Sequence, residues 1–183
     1  MKNRFIATPS QVANVILTLA FRKTTEYKLT PYKLGKMVYM IYAWYYAISG
    51  AKLFSDPILI GENGPIVKEV DNQFSSQKNN IIPNGMLAST YNVDLNMDVG
   101  NLVDTNPEHL LVINIANTVL EFYKNENDTD LRSLTHAKGS VWYIETNNGK
   151  ELQDKVGQPV SNYEAIKRRA EESIERYKAT QGL

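Results

Sequence analysis

Cysteine is absent from the 183-residue chain, which excludes disulfide staples, thiolate zinc sites and a thiol nucleophile. A reducing compartment suits such a chain, and the cytoplasm is the expected location. Histidine is nearly as scarce. Only His109 and His136 occur, and no third group is spaced to complete a metal site or a Ser-His-Asp arrangement. No metal and no cofactor are therefore expected, and the chain reads as non-enzymatic. Net charge is zero, 20 Lys and Arg against 20 Asp and Glu, which argues against a nonspecific nucleic-acid binder. No stretch reaches the roughly 18 apolar residues of a membrane span, and MKNRFIATPS has no apolar run of signal-peptide length. No membrane association is expected. What remains, 43% hydrophobic and 22% charged, is ordinary globular composition, read as a single domain over 1–183.

The charge is unevenly placed. Residues 1–50 carry Lys2, Arg4, Arg22, Lys23, Lys28, Lys33 and Lys36 against Glu26, whereas 84–130 carry Asp94, Asp98, Asp104, Glu108, Glu121, Glu126, Asp128 and Asp130 against Lys124. Either the two segments attract each other within the fold, or one of them faces a charged partner. The basic third keeps a nucleic-acid-associated regulator as an alternative.

The stretch from Thr30 to Gly50 organises the rest. Thr30 is a capping side chain, Pro31 suits the first helical position, and Gly50 supplies a stop. Leu34, Met37, Val38, Ile41, Tyr45 and Ile48 recur at helical spacing as its apolar face. Six of the eleven tyrosines lie between Tyr27 and Tyr46. Tyr39, Tyr42 and Tyr46 fall off the stripe beside Lys33 and Lys36. Two readings stay open for that second face: a partner-binding groove completed by Gly64 and Pro65, or a surface buried against the terminal helices.

Thr8-Pro9-Ser10-Gln11 makes a capping-box start for a helix to about Arg22, with Val12, Val15, Ile16 and Leu19 inward and Asn14, Thr18 and Arg22 outward. Ile58-Leu59-Ile60 is a short strand or a buried connection, and 61–65 is a turn. Gly64-Pro65 is expected to open a helix in which Ile66, Val70 and Phe74 share a face. Gly-Glu-Asn-Gly lacks the lysine and hydroxyl of a phosphate loop. Residues 75–105 form a loop or a small β insertion, since Val93, Leu95, Met97 and Val99 alternate with polar residues. A helix from about Pro107 to Lys124 is apolar almost all round, and His109 in its first turn reads as a surface residue. Asp128-Thr129-Asp130 introduces a short helix ending at His136, followed by Trp142; these two rings are candidates to line a cleft or to sit in a core pocket. Ser161 opens a final helix with Glu164/Arg168 and Glu172/Arg176 at four-residue spacing. The fold expected is mainly α, a compact helical domain with a small β hairpin or sheet element in the middle segment.

Four segments stand in order: TPSQVANVIL, LTPYKLGKMVYMIYAWYYAISGAKLFSDPI, GPIVKEVDNQF, and LRSLTHAKGSVW followed by PVSNYEAI. The signals within them are Leu29-Thr30 with Lys33-Leu34, Lys36 and Tyr39; Trp44 and Gly50 with Leu53-Phe54; Gly64-Pro65-Ile66-Val67; and Leu134-Thr135-His136 with Trp142. The chain resembles the Panacea domain, the family of phage-associated GepA-like proteins and SocA-type antitoxins. Where members carry an acidic residue, alanine and tryptophan before the Gly-Pro, this chain has Leu59, Ile60 and Gly61. The resemblance implies a helical protein that binds a protein partner, typically a toxin whose activity it blocks. In the SocA-type case it implies delivery of that toxin to a protease, and phage context implies a second role against a host or defence protein.

Overall fold

The computed structural model describes residues 5–23, 27–88 and 106–182. Within these, helices α1 (Pro9–Lys23) and α2 (Pro31–Ser49) lead into a hairpin of β1 (Leu59–Gly61) and β2 (Gly64–Ile66). Then come α3 (Lys68–Phe74), a single 3-10 turn, α4 (Pro107–Phe122), α5 (Asp128–His136), α6 (Val141–Glu145), α7 (Leu152–Lys155) and α8 (Tyr163–Gln181). The architecture is mainly α with one small two-stranded antiparallel sheet among the described residues.

Helix α2 is the axis of the core. Thr30 Oγ1 accepts from Lys33 N at 3.1 Å, Pro31 occupies the first turn, and Gly50 at φ 72° donates its N–H to Tyr46. Every residue from Lys33 to Tyr45 is buried, because α1, α3, α4, α5 and α8 all pack on this helix. A helix so apolar on all sides has no face left for water. Only its last turn emerges, so Ile48, expected on the inner stripe, is exposed.

The caps follow the sequence closely. Thr8 N donates to Gln11 Oε1 at 2.8 Å while Gln11 N donates to Thr8 Oγ1 at 3.2 Å, the reciprocal start of α1. Asn106 caps α4. At α5 the capping box is Asn127 with Asp130, one residue before the expected start. At α8 the cap is Asn162, not Ser161: Glu145 Oε1 accepts from both Ser161 N and Asn162 N at 2.6 Å, which holds Ser161 outside the helix. Along α8, Glu172 meets Arg169 rather than Arg176, and Lys178 meets Glu175.

Three further expectations are corrected. Gly64-Pro65 does not start a helix; both residues lie in β2, and α3 begins at Lys68. Asn14 is buried, its side-chain amide exchanging two hydrogen bonds with the Ala88 backbone at 2.7 and 3.0 Å. His109 is buried although it lies in the first turn of α4. The first strand of the hairpin, Leu59–Gly61, overlaps Ile58-Leu59-Ile60, for which a short strand was one of the two readings, while the alternating stretch 93–99 lies outside the described residues.

The basic and acidic segments do meet. Lys23 Nζ and Tyr27 Oη both donate to Glu121 Oε1 at 2.6 Å, and this pair of donors draws the Glu121 carboxyl down to about 2. Thr30 Oγ1 donates to Asp128, and Lys33 Nζ donates to the carbonyls of Lys124 and Glu126 at 2.8 and 2.7 Å, closing the end of α4.

Candidate functional site: a clasped hairpin

The hairpin is short, so its own ladder cannot hold it. Side chains from α2, α5 and α6 do so instead. Tyr32 and Lys36 stand one turn apart on α2: Tyr32 Oη donates to the Asn63 carbonyl at 3.0 Å and Lys36 Nζ to the Pro65 carbonyl at 2.7 Å. From α6, Trp142 Nε1 donates to the Gly61 carbonyl at 2.9 Å. The His136 ring from the end of α5 stacks on Trp142, centroids 3.7 Å apart and planes 15° from parallel, and hydrogen-bonds the Asn63 backbone. Carbonyls at alternate positions 61, 63 and 65 thus each meet a donor. On the other side of β1, Ile60 N donates to the Gln158 carbonyl and Gly157 N to the Ile60 carbonyl.

Gly64 makes the close approach possible. Its φ is +97°, and a Cβ there would lie 2.5 Å from Thr135 Oγ1 and 3.1 Å from Lys36 Nζ. The turn residues Glu62 and Asn63 have no positive φ, so Gly64 alone supplies the left-handed step out of the turn.

Burial sets the charges. Lys36 is almost fully enclosed, and desolvation lowers its ammonium to about 7; Asp71 opposes the fall and Arg132 adds to it. Desolvation raises the Asp71 carboxyl, with Lys36 opposing. Burial, then the nearby Arg132 and Lys36 charges, bring the His136 ring down to about 4 against the hydrogen bond to Asn63. The imidazole is neutral at physiological pH, and its Nε2 is buried without a hydrogen-bond partner. Tyr32 is pushed up to about 12, chiefly by burial.

Around this frame the surface is concave. One groove of about 350 Å³ runs between α2 and the hairpin past Tyr32, Gly35, Lys36, Asn63 and Asp71. A second recess of about 470 Å³ carries Arg132, Leu152 and Gln153. Both share Glu62, Asn63 and Val156, so the exposed turn stands as a ridge between two hollows.

The sequence-derived candidates divide sharply. Lys36, Gly64, Pro65, His136 and Trp142 come together here, but as the frame behind the surface. Lys33 is buried beneath the end of α4, held to carbonyls there. Tyr39 is buried beside Arg169 of α8. Tyr42 packs on Phe54 at 4.8 Å and hydrogen-bonds Tyr163. Burial raises both phenols. Tyr46 is half-buried, edge-on to Tyr163 at 6.0 Å. The expected groove along Tyr39, Tyr42 and Tyr46 is thus closed by α8 docking on that side of α2, which is the second of the two open readings. Residues not singled out from the sequence, Tyr32, Asn63, Asp71, Arg132 and Val156, line the hollows instead; only the four-residue step from Tyr32 to Lys36 signalled any of them.

Among the described residues no group of three or more His, Cys, Asp and Glu could hold a metal ion, and no helix is long and apolar enough to cross a membrane. A family model described as antitoxin SocA-like, Panacea domain matches residues 34–143. The chain belongs to this family. The matched Panacea stretch opens two residues before Lys36 and closes one after Trp142, so it brackets most of the clasp. No curated protein and no solved structure matches the chain. Membership in the SocA-like Panacea family suggests an antitoxin role and, with it, a protein partner.

Proposed function

We propose that this chain is a non-enzymatic antitoxin-like protein that neutralises a protein toxin by covering it, and that the exposed turn Glu62-Asn63 with its two flanking hollows is the contact surface. The observation that carries the reading is the clasp. Donors from two separate helices, α2 and α6, fix the carbonyls of Gly61, Asn63 and Pro65, so the exposed ridge is rigid before any partner arrives. A loop ordered in advance loses little entropy on binding, which favours affinity. The ridge also offers mixed chemistry: the Glu62 carboxylate, the Asn63 amide, the Arg132 guanidinium and the exposed apolar side chain of Val156. Family membership supplies the class of partner.

The internal engagement of Lys23, Lys33 and Lys36 supports a protein rather than a nucleic-acid partner, since these cations are turned to Glu121 and to backbone carbonyls. Delivery of the bound toxin to a protease is the finer possibility within the same reading, as is a phage-associated role against a host or defence protein.

Co-expression with the neighbouring gene of the native locus tests the role. The neighbour should be toxic alone and tolerated with this protein. A neighbour that is harmless alone, or still toxic beside it, ends the antitoxin reading. Glu62→Arg and Arg132→Glu test the surface: both should abolish protection at unchanged melting temperature, whereas full protection by both would move the contact elsewhere.

A further inference from the structure

Away from the hairpin, a recess of about 50 Å³ opens between α2, the α5–α6 link and α8. A water takes roughly 10–15 Å³ of such space, so it holds about three to five waters or one small oxyanion. Arg169 and Arg176, two turns apart on one face of α8, both line it, and no carboxylate does. Arg176 is exposed and the Arg169 side chain is 25% exposed, so both guanidinium groups can be reached from solvent. In the ion pair of Arg169 with Glu172 the carboxylate side chain is half exposed, so water can take the place of that partner.

Apolar side chains, Met40, Ala43 and Trp44 of α2 with Ile166 and Ala170 of α8, make part of the wall, and the hydroxyls of Tyr123, Ser140 and Ser173 are set among them. Tyr123 and Ser173 share a 2.6 Å hydrogen bond, which uses one of their two O–H donors. Ser140 Oγ accepts from Tyr143 N at 3.0 Å and keeps its own O–H to donate. Both arginines bear on Tyr123, opposing the rise that burial imposes on its hydroxyl, and Arg169 acts in the same sense on Tyr39. Two cations and three hydroxyl side chains thus border one small space, a donor set that matches a carboxylate or phosphate group.

We propose that this recess is an oxyanion site in which Arg169 and Arg176 hold the anionic oxygens while Ser140 and the Tyr123–Ser173 pair donate hydroxyl hydrogen bonds. The assignment is independent of the hairpin surface. Its occupant is either free phosphate or the carboxylate of an acidic side chain on a partner.

The full chain, labelled with nitrogen-15, is titrated with sodium phosphate and separately with sodium acetate at constant ionic strength and pH 7. The Arg Nε–H signals and the Ser140 and Ser173 amides are followed. Saturation in phosphate alone supports a phosphate site, and saturation in acetate, with or without phosphate, supports a carboxylate site. Arg169→Gln and Arg176→Gln should each weaken the binding at least tenfold, and Arg169→Lys, which keeps the charge but loses the fork, should weaken it less than Arg169→Gln. Linear drift in both anions, or curves unchanged in Arg169→Gln and Arg176→Gln, would overturn the proposal.

Discussion

Replacing Gly64 with alanine probes the clasp directly. At φ +97° a residue with a Cβ is strained whatever the space around it, by about 1–2 kcal/mol on the scale of left-handed conformations. The new methyl group would also stand 2.5 Å from Thr135 Oγ1 and 3.1 Å from Lys36 Nζ, so one or both must move. Thr135 Oγ1 is tied to the Leu131 and Arg132 carbonyls, and Lys36 Nζ is the donor to Pro65. Losing a hydrogen bond from a charged donor costs about 1.5–3 kcal/mol, which brings the expected total to about 2.5–5 kcal/mol. Gly157→Ala is the control, because Gly157 has φ +81° with nothing within 4 Å of its would-be Cβ. That variant carries the strain alone, about 1–2 kcal/mol. The gain from a stiffer unfolded chain is common to both and cancels in the comparison. Urea denaturation followed by tryptophan fluorescence measures both, Trp142 being part of the clasp itself. Costs within about 0.5 kcal/mol of each other would refute the reasoning, since the steric part would then be missing. Adding Thr135→Ala to Gly64→Ala should recover part of the loss, a non-additivity expected of groups in contact.

The Lys36 ammonium falls to about 7 in the fold from 10.5, so the unfolded chain binds more protons between those values and stability rises with pH across that window. Unfolding free energies from urea titrations at pH 7, 8 and 9 should climb by up to about 1.4 kcal/mol per pH unit in the natural protein and flatten in Lys36→Met; parallel curves would count against it. The His136 ring, lowered to about 4 from 6.5, should stay neutral at pH 6, and stability should fall as pH drops from 6.5 toward 4. A carbon-detected titration with its midpoint at or above 6.5 would mean the ring is open to water. Leu34→Ala and Ile41→Ala, both at fully buried positions, should each cost about 2–5 kcal/mol in chemical denaturation; less than about 0.5 at both would place the wrong face inward.

Caps and helix faces were legible because they are local. Thr8, Gln11, Thr30, Pro31, Gly50 and Asn106 act within a few residues of themselves, and chain-neighbour chemistry is visible without a fold. The fate of Tyr39 and Tyr42 was not local. An aromatic side chain off the main stripe suits an interface and a second packing partner equally, and only the docking of α8 decides between them. Lys36 misled for a related reason, since a lysine near tyrosines reads as surface charge until a carbonyl 29 positions away is seen beside its amine. Gly64-Pro65 suggested a helix start, but a proline is also tolerated in an edge strand, and the Pro65 carbonyl is the atom that the clasp uses. The family signals at Lys36, Gly64-Pro65, His136 and Trp142 were thus found in the sequence as separate marks, while the surface they support, from Tyr32 to Arg132 and Val156, became visible only once they were joined.

The separation of those marks along the chain bears on when the protein becomes competent. Trp142 reaches a carbonyl 81 residues behind it, and contacts of such long range close late in folding, after the loop entropy between them has been overcome. During synthesis from the N-terminus, α1, α2 and the hairpin emerge first and wait for their last fastener. A chain ended before residue 142 lacks the indole donor that meets the Gly61 carbonyl. Interactions made after the transition state chiefly govern how fast a protein opens, so variants of the clasp should unfold faster while folding at nearly the natural rate.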